Sequence, residues 1–71
     1  MNRDDIIRLI QRRLAEHTEQ KAAHLRDVTR HAEFGWVNET RRACTMATAS
    51  EYRAEEVAAI LSQIGAPLEA P

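Results

Sequence analysis

Residues 34–38, FGWVN, decide the fold, because they interrupt a chain that is otherwise rich in helix-forming residues. Gly35 tolerates the left-handed conformation that commonly ends a helix, so the pattern predicts a first helix over residues 3–34. Asn38 is a suitable N-terminal cap and predicts a second helix that runs to about Ile64. Because the connection is short, we expect an all-α protein built as an antiparallel helical hairpin.

The outer ends of the two predicted helices carry end signals as well. Asn2 can cap the first helix, and two aspartates follow it in the first turn, where the helix dipole favours negative charge. Gly65 followed by Pro67 ends the second helix. We therefore expect a single helical domain over residues 1–66 and a flexible C-terminal tail over residues 67–71.

The middle of the second helix leaves an alternative open. Residues 45–50, TMATAS, are rich in Thr and Ser, whose side chains compete for backbone hydrogen bonds. Thr48 and Glu51 also have the spacing of a capping box. A break near residue 48, giving helices over residues 38–47 and 49–64, is the alternative to one continuous helix.

Length and composition limit how this hairpin can be stabilised. A chain of 71 residues builds only a small core, and Cys44 is its only cysteine, so no disulfide within the chain reinforces it. We therefore expect a homodimer in which two hairpins form a four-helix bundle. Pairing of this kind would cover the apolar stripes that one hairpin leaves open.

The same composition predicts a cytoplasmic protein without a membrane segment. No apolar run approaches the roughly 20 residues that cross a bilayer. The N-terminal sequence MNRDDIIRL lacks the apolar block of a signal peptide, and a lone cysteine fits a reducing compartment. The net charge of −1 gives no support for nucleic-acid binding. We expect neither a cofactor nor a metal.

Apolar residues form one stripe along each predicted helix. In a hairpin closed at the FGWVN turn, the numbers of facing residues add up to about 72, so apolar positions meet apolar ones and Lys21 meets Glu51. The first stripe also contains Ile6, Ile7 and Ala32. The residues that we expect in the core or the dimer interface are Ile10, Leu14, Leu25, Val28, Ala47, Ala54, Val57 and Leu61.

Three histidines recur seven residues apart, at positions 17, 24 and 31. Histidine is a common metal ligand, and its charge changes near neutral pH. Side chains seven residues apart on one helix are separated by about 10.5 Å along the axis, whereas ligands that share an ion are three or four residues apart. We interpret the histidines as flanking the apolar stripe, with a pH switch as the alternative.

No arrangement of residues in this chain is typical of an active site. The sequence has no glycine-rich phosphate loop and no recognisable nucleophile motif. Cys44 follows two arginines, but it falls on or beside the small-residue face of the second helix, where a buried structural cysteine is the commoner finding. We therefore expect no enzymatic activity.

The turn is the candidate binding site. Phe34 and Trp36 are two of the three aromatic residues in the chain, and Trp and Arg are over-represented in protein-binding hot spots. With Arg41, Arg42 and Tyr52 they form the set of residues expected to contact a partner. This set predicts a small non-catalytic protein-interaction module that binds and modulates a larger protein, as an inhibitor or an adaptor.

The alternative function is nucleic-acid binding through surface arginines. Arg8, Arg12 and Arg13 form one group, and Arg41 and Arg42 form a second. A dimer of helical hairpins resembles in architecture the plasmid copy-number regulator Rop, which binds RNA through the outer faces of its bundle. The resemblance includes no shared motif, so it implies a Rop-like or repressor-type regulator by analogy only.

Overall fold

A computed structural model describes residues 2–70, which form two long helices packed antiparallel. Helix α1 spans Arg3–Glu33 and helix α2 spans Val37–Gln63. At the start of α1, the side-chain oxygen of Asn2 accepts a hydrogen bond from the backbone N–H of Asp5 at 2.9 Å, as a helix cap does. The hairpin is a rod of 49 × 18 × 17 Å. The prediction of an all-helical hairpin is confirmed.

Both helices end in the same hydrogen-bonded turn. After α1, the N–H of Gly35 donates to the carbonyl of Ala32 at 3.1 Å, and the N–H of Trp36 donates to the carbonyl of His31 at 3.0 Å. The same pair of bonds surrounds Gly65 after α2. This turn needs a left-handed residue, and the two glycines supply it with φ values of 71° and 72°.

Helix α2 begins two residues earlier than a cap at Asn38 predicts, so the assignment of Asn38 as its cap is wrong. The residue at the cap position is Trp36, whose side chain makes no capping hydrogen bond. Its carbonyl accepts the N–H of Thr40 at 2.9 Å, which is already a helical bond. The chain becomes helical directly after the turn at Gly35, so Asn38 lies inside the first turn of α2.

Helix α2 is continuous, so the alternative of a break near residue 48 is wrong. The hydroxyl groups of Thr45 and Thr48 donate to the carbonyls of Arg41 and Cys44, at 3.1 and 3.0 Å. A hydroxyl that bonds to the carbonyl four residues earlier leaves the helical ladder in place, with at most a slight bend.

The two helices pack in the register that the sequence predicts. Lys21 Nζ lies 3.1 Å from Glu51 Oε1 near the middle of the hairpin. At the open end, the guanidinium of Arg3 donates to the carbonyl oxygen of Ile64 at 3.0 Å. The Lys21–Glu51 contact joins facing positions, whose numbers add up to 72, and the long Arg3 side chain bridges two positions that are offset along the helix axes.

The interface consists of large side chains on α1 and mostly small ones on α2. The contact positions recur every seven residues on both helices, as in an antiparallel coiled coil. Small side chains on α2 let the two helix axes approach closely. The buried residues are Ile7 and Gln11 on α1 and Ala43, Ala47, Ser50 and Leu61 on α2.

The three histidines are half-buried, which agrees with the interpretation that they flank the apolar stripe. They share a heptad position with Ile10. The Nδ1 atoms of His17 and His31 are buried and have no hydrogen-bond partner within residues 2–70.

Large apolar residues remain exposed on the single hairpin. Leu25 and Ile6, which the sequence places in the first stripe, are 47% and 45% exposed and lie beside the interface. Other exposed large apolar residues along the helices are Leu9, Met46, Ile60 and Ile64. One hairpin therefore leaves much of its apolar surface in contact with water.

The residues after α2 fold back against α1. The side-chain N–H groups of Gln11 donate to the carbonyls of Pro67 and Glu69, at 2.9 and 3.3 Å. Gln11 is 4% exposed, so the returning chain covers it. These bonds hold residues 66–70 alongside the first helix, and the flexibility of residues 67–71 stays a prediction.

Candidate interaction site at the hairpin tip

The turn between the helices forms an exposed apolar tip, defined here as residues 34–37. Phe34 is 61% exposed, Trp36 is 48% exposed and Val37 is 64% exposed. The left-handed conformation of Gly35 reverses the chain between the two aromatic residues. Three large apolar side chains therefore project from one end of the rod.

The rings at the tip are stacked against one another. The ring centroids of Phe34 and Trp36 lie 5.1 Å apart with 25° between the ring planes. The ring of His31, in the last turn of α1, has its centroid 5.6 Å from that of the Trp36 ring, with 32° between the ring planes. Trp36 therefore contacts a ring on the turn and a ring on α1, and its backbone N–H is bonded to His31 as well. These contacts limit the orientations that the indole can adopt.

The structure brings together only part of the predicted contact set. Arg41 and Arg42 are exposed and lie one to one and a half helical turns after Trp36, where they border the tip. Neither arginine is paired with a carboxylate among the described residues. Tyr52 is 66% exposed, but it lies about 24 Å further along α2 at 1.5 Å per residue. It belongs to a separate surface.

Two residues at this end of the hairpin, one in the tip and one beside it, were missed from the sequence alone. Val37 was assigned to the connection and not to the contact surface, although it is as exposed as Phe34. His31 was interpreted by its seven-residue spacing, which hides its contact with Trp36. The signal for that contact is the glycine turn, which bonds the residue after the glycine to the residue five positions earlier.

The first arginine group is largely neutralised within the chain. Arg8 lies 3.8 Å from Asp5, and Arg13 lies 3.5 Å from Glu16. Arg12 has no such partner within residues 2–70. The three side chains therefore do not form one free basic patch.

Cys44 is exposed, which corrects the expectation of a buried structural cysteine. It lines a shallow open depression of about 420 Å³ with Thr45, Thr48, Ala49 and Tyr52. No charged group belongs to this depression.

Two kinds of site are missing from the part of the chain that the structure describes. No three side chains among His, Cys, Asp and Glu gather closely enough to hold a metal ion. Neither α1 nor α2 contains a stretch that is apolar and long enough to span a bilayer.

Comparison of the chain with protein-family models, with curated proteins and with solved structures found no match in any of the three. The tip is therefore interpreted from its own geometry.

Proposed function

We propose that this chain is a small non-catalytic protein-interaction module, which binds a larger protein through the tip and modulates it as an inhibitor or an adaptor. The stacked pair of Phe34 and Trp36 is the observation that carries the proposal. Both rings are exposed, in contact with each other and held in place by the turn. Contiguous apolar surface of this kind is typical of interaction sites.

The side chains of the tip are already ordered before a partner binds, which favours tight binding. A flexible side chain loses about 0.5–1.5 kcal/mol of conformational freedom when an interface immobilises it. Stacking and backbone bonds already restrict Trp36, so less of this cost remains at the moment of association. Arg41 and Arg42 add a positive border. The complementary partner surface is an apolar pocket that accepts an indole, bordered by acidic side chains.

Dimerisation into a four-helix bundle is part of the proposal. The support is the small set of buried apolar side chains, which within residues 2–70 contains two large members, Ile7 and Leu61. The exposed apolar residues along both helices supply surface for a second hairpin. Because the tip lies at the end of the rod, a bundle that pairs the helices side by side leaves it free to bind.

A reducing compartment such as the cytoplasm suits this chain. Its one cysteine, Cys44, is free and exposed, and exposed thiols are oxidised readily outside reducing compartments. This placement also keeps two copies from becoming linked through Cys44.

The test is affinity capture from a nuclease-treated lysate of the source cell or its host, read by mass spectrometry. Wild type is compared with Trp36→Ala and with Tyr52→Ala, which removes an equally exposed aromatic ring away from the tip. We expect one protein that is retained by wild type and Tyr52→Ala and lost by Trp36→Ala. Loss in Tyr52→Ala alone would move the site away from the tip.

Tryptophan fluorescence checks the location of binding directly, because Trp36 is the only tryptophan in the chain. A captured partner that covers the tip should shift the Trp36 emission to shorter wavelength. Capture that requires nucleic acid, and that weakens by about 0.9 log units per phosphate contact for each decade of salt, would instead support the Rop-like alternative.

A further inference from the structure

A groove opens along one flank of the hairpin, between α1, α2 and the chain that returns after α2. Its volume is about 940 Å³, and it is open to solvent. The residues that make it apolar are Leu14, Ala15, Ala22, Ala54, Ala58 and Leu68. The bonds from Gln11 to Pro67 and Glu69 fix the returning chain, which forms the end of the groove. The groove is therefore built by tertiary contacts and not by one helix alone.

The charged residues that line the groove are mostly basic toward one end and acidic toward the other. Arg8 and Arg12 lie toward the open end of the hairpin, beside Glu69 of the returning chain, and Glu19 and Glu55 lie nearer its middle. Within residues 2–70, Arg12, Glu19 and Glu55 form no ion pair. A surface with this arrangement is complementary to itself, because a two-fold rotation places the positive end of one copy on the negative region of the other.

We propose that this groove is the homodimer interface and that its occupant is α1 of a second copy, running antiparallel and crossing at Ala15. This inference rests on the dimerisation proposed above and adds the surface and its alignment. Arg12 and Glu19 are equally distant from the midpoint just after Ala15, so one alignment forms both Arg12–Glu19 contacts at once. The small Ala15 side chain at the crossing lets the two helices approach closely.

Glu55 strengthens the same alignment. In the hairpin register, Glu55 is level with residue 17 of α1, close to the proposed two-fold axis. The second copy's Arg12 is level with Glu19, which is about 3 Å away along the axis at 1.5 Å per residue, so its long side chain can reach Glu55. Each Arg12 thus has two carboxylates opposite it, and neither is engaged within its own chain.

The test is the mass of the purified full chain in solution, measured by light scattering or sedimentation over a range of concentrations. Wild type should have twice the 8.1 kDa mass of the chain. Arg12→Glu and Glu19→Arg should each raise the dimer dissociation constant by about tenfold or more, because two symmetry-related contacts are lost each time. The double variant Arg12→Glu/Glu19→Arg should associate more tightly than either single variant but less tightly than wild type, because the exchange restores both 12–19 pairs and leaves Glu55 opposite a like charge.

Two control variants separate the groove from the rest of the surface. Arg13→Glu has the same charge change on the next residue, whose guanidinium is paired within the chain, and should leave the mass unchanged. Leu9→Asp alters an exposed apolar residue that does not line the groove and should also leave the dimer intact. Circular dichroism of each variant confirms that the helices are retained.

The outcomes distinguish this inference from the dimer proposal itself. A dimer that withstands Arg12→Glu and Ala15→Glu but dissociates in Leu9→Asp would overturn the groove and leave dimerisation standing. Failure of the double exchange to associate more tightly than either single variant would overturn the alignment. A wild-type chain that stays monomeric at all concentrations would overturn both, whereas binding through the tip would be unaffected.

Discussion

At the scale of single residues, the least favourable feature of the hairpin is a buried ring nitrogen without a partner. His17 Nδ1 and His31 Nδ1 are both in this state among the described residues. A buried polar atom that has lost water and gained no hydrogen bond costs about 1–3 kcal/mol. His31 has the Trp36 ring against it, so a contact with the tip offsets part of that cost. His17 has no aromatic neighbour among the described residues.

His17→Leu should therefore stabilise the hairpin. Leucine removes the unpaired nitrogen and adds apolar surface opposite the small Ala54, so we expect a gain of about 1–2 kcal/mol in the free energy of unfolding. The measurement is the midpoint of urea unfolding. His24→Leu is the matched control, because His24 occupies the same heptad position opposite another alanine, Ala47. It should gain less, since His24 has no buried unpaired atom within residues 2–70. Equal gains in the free energy of unfolding for the two variants would mean that apolar packing, and not removal of the unpaired nitrogen, stabilises the hairpin.

At the scale of helices, the ends and the register were predictable from the sequence, whereas the burial of individual side chains on α1 was not. The glycines at 35 and 65 fix where both helices stop, because few other residues adopt a positive φ. Facing positions follow from the length of the turn, and the Lys21–Glu51 contact confirms them. Leu25, however, lies on the predicted apolar stripe and is 47% exposed, whereas His17 holds a buried Nδ1 atom. Periodicity indicates which face a residue is on, and tertiary packing decides how much of the side chain is covered.

For the predicted interaction site too, the features set by local sequence were predictable, whereas those set by tertiary contacts were not. The turn residues Phe34 and Trp36 are exposed because a three-residue connection centred on a glycine leaves nothing to cover them. Tyr52 could be assigned to an exposed face from periodicity, but its distance from the tip depends on α2 being unbroken. The groove could not be predicted, because Gln11 builds it by bonding to carbonyls more than 50 residues away.

The Lys21–Glu51 pair should fix the register of the two helices. Lys21→Glu and Glu51→Lys each bring like charges together, and each should lower the free energy of unfolding by about 0.5–1 kcal/mol. Both side chains are partly exposed, so a larger effect is not expected. The double exchange restores opposite charges and should recover most of the loss. A double-mutant cycle from urea unfolding measures the coupling, and a coupling of zero would argue for a different register in solution.

At the scale of the whole molecule, the proposed antiparallel dimer determines how many partners can bind and from where. Each tip extends beyond the paired region, because the crossing at Ala15 lies closer to the start of α1 than to its end. The two tips then point away from each other at opposite ends of the assembly. One dimer could bind two partner molecules, or two sites on one elongated partner, and gain avidity from the second contact. A parallel pairing would place both tips side by side and present a single double site.

The separation of the two tips decides between these arrangements. A nitroxide label at the exposed Val37, introduced as Val37→Cys in a Cys44→Ala background, places one probe at each tip. With 1.5 Å per residue and a crossing just after Ala15, the antiparallel dimer puts the labels roughly 55 Å apart along the axis, whereas a parallel dimer puts them within roughly 20 Å. Pulsed dipolar spectroscopy measures both distances. Addition of Arg12→Glu should abolish the long distance, because monomers carry a single label. A short distance in the dimer would contradict the antiparallel alignment and make the two tips one composite surface.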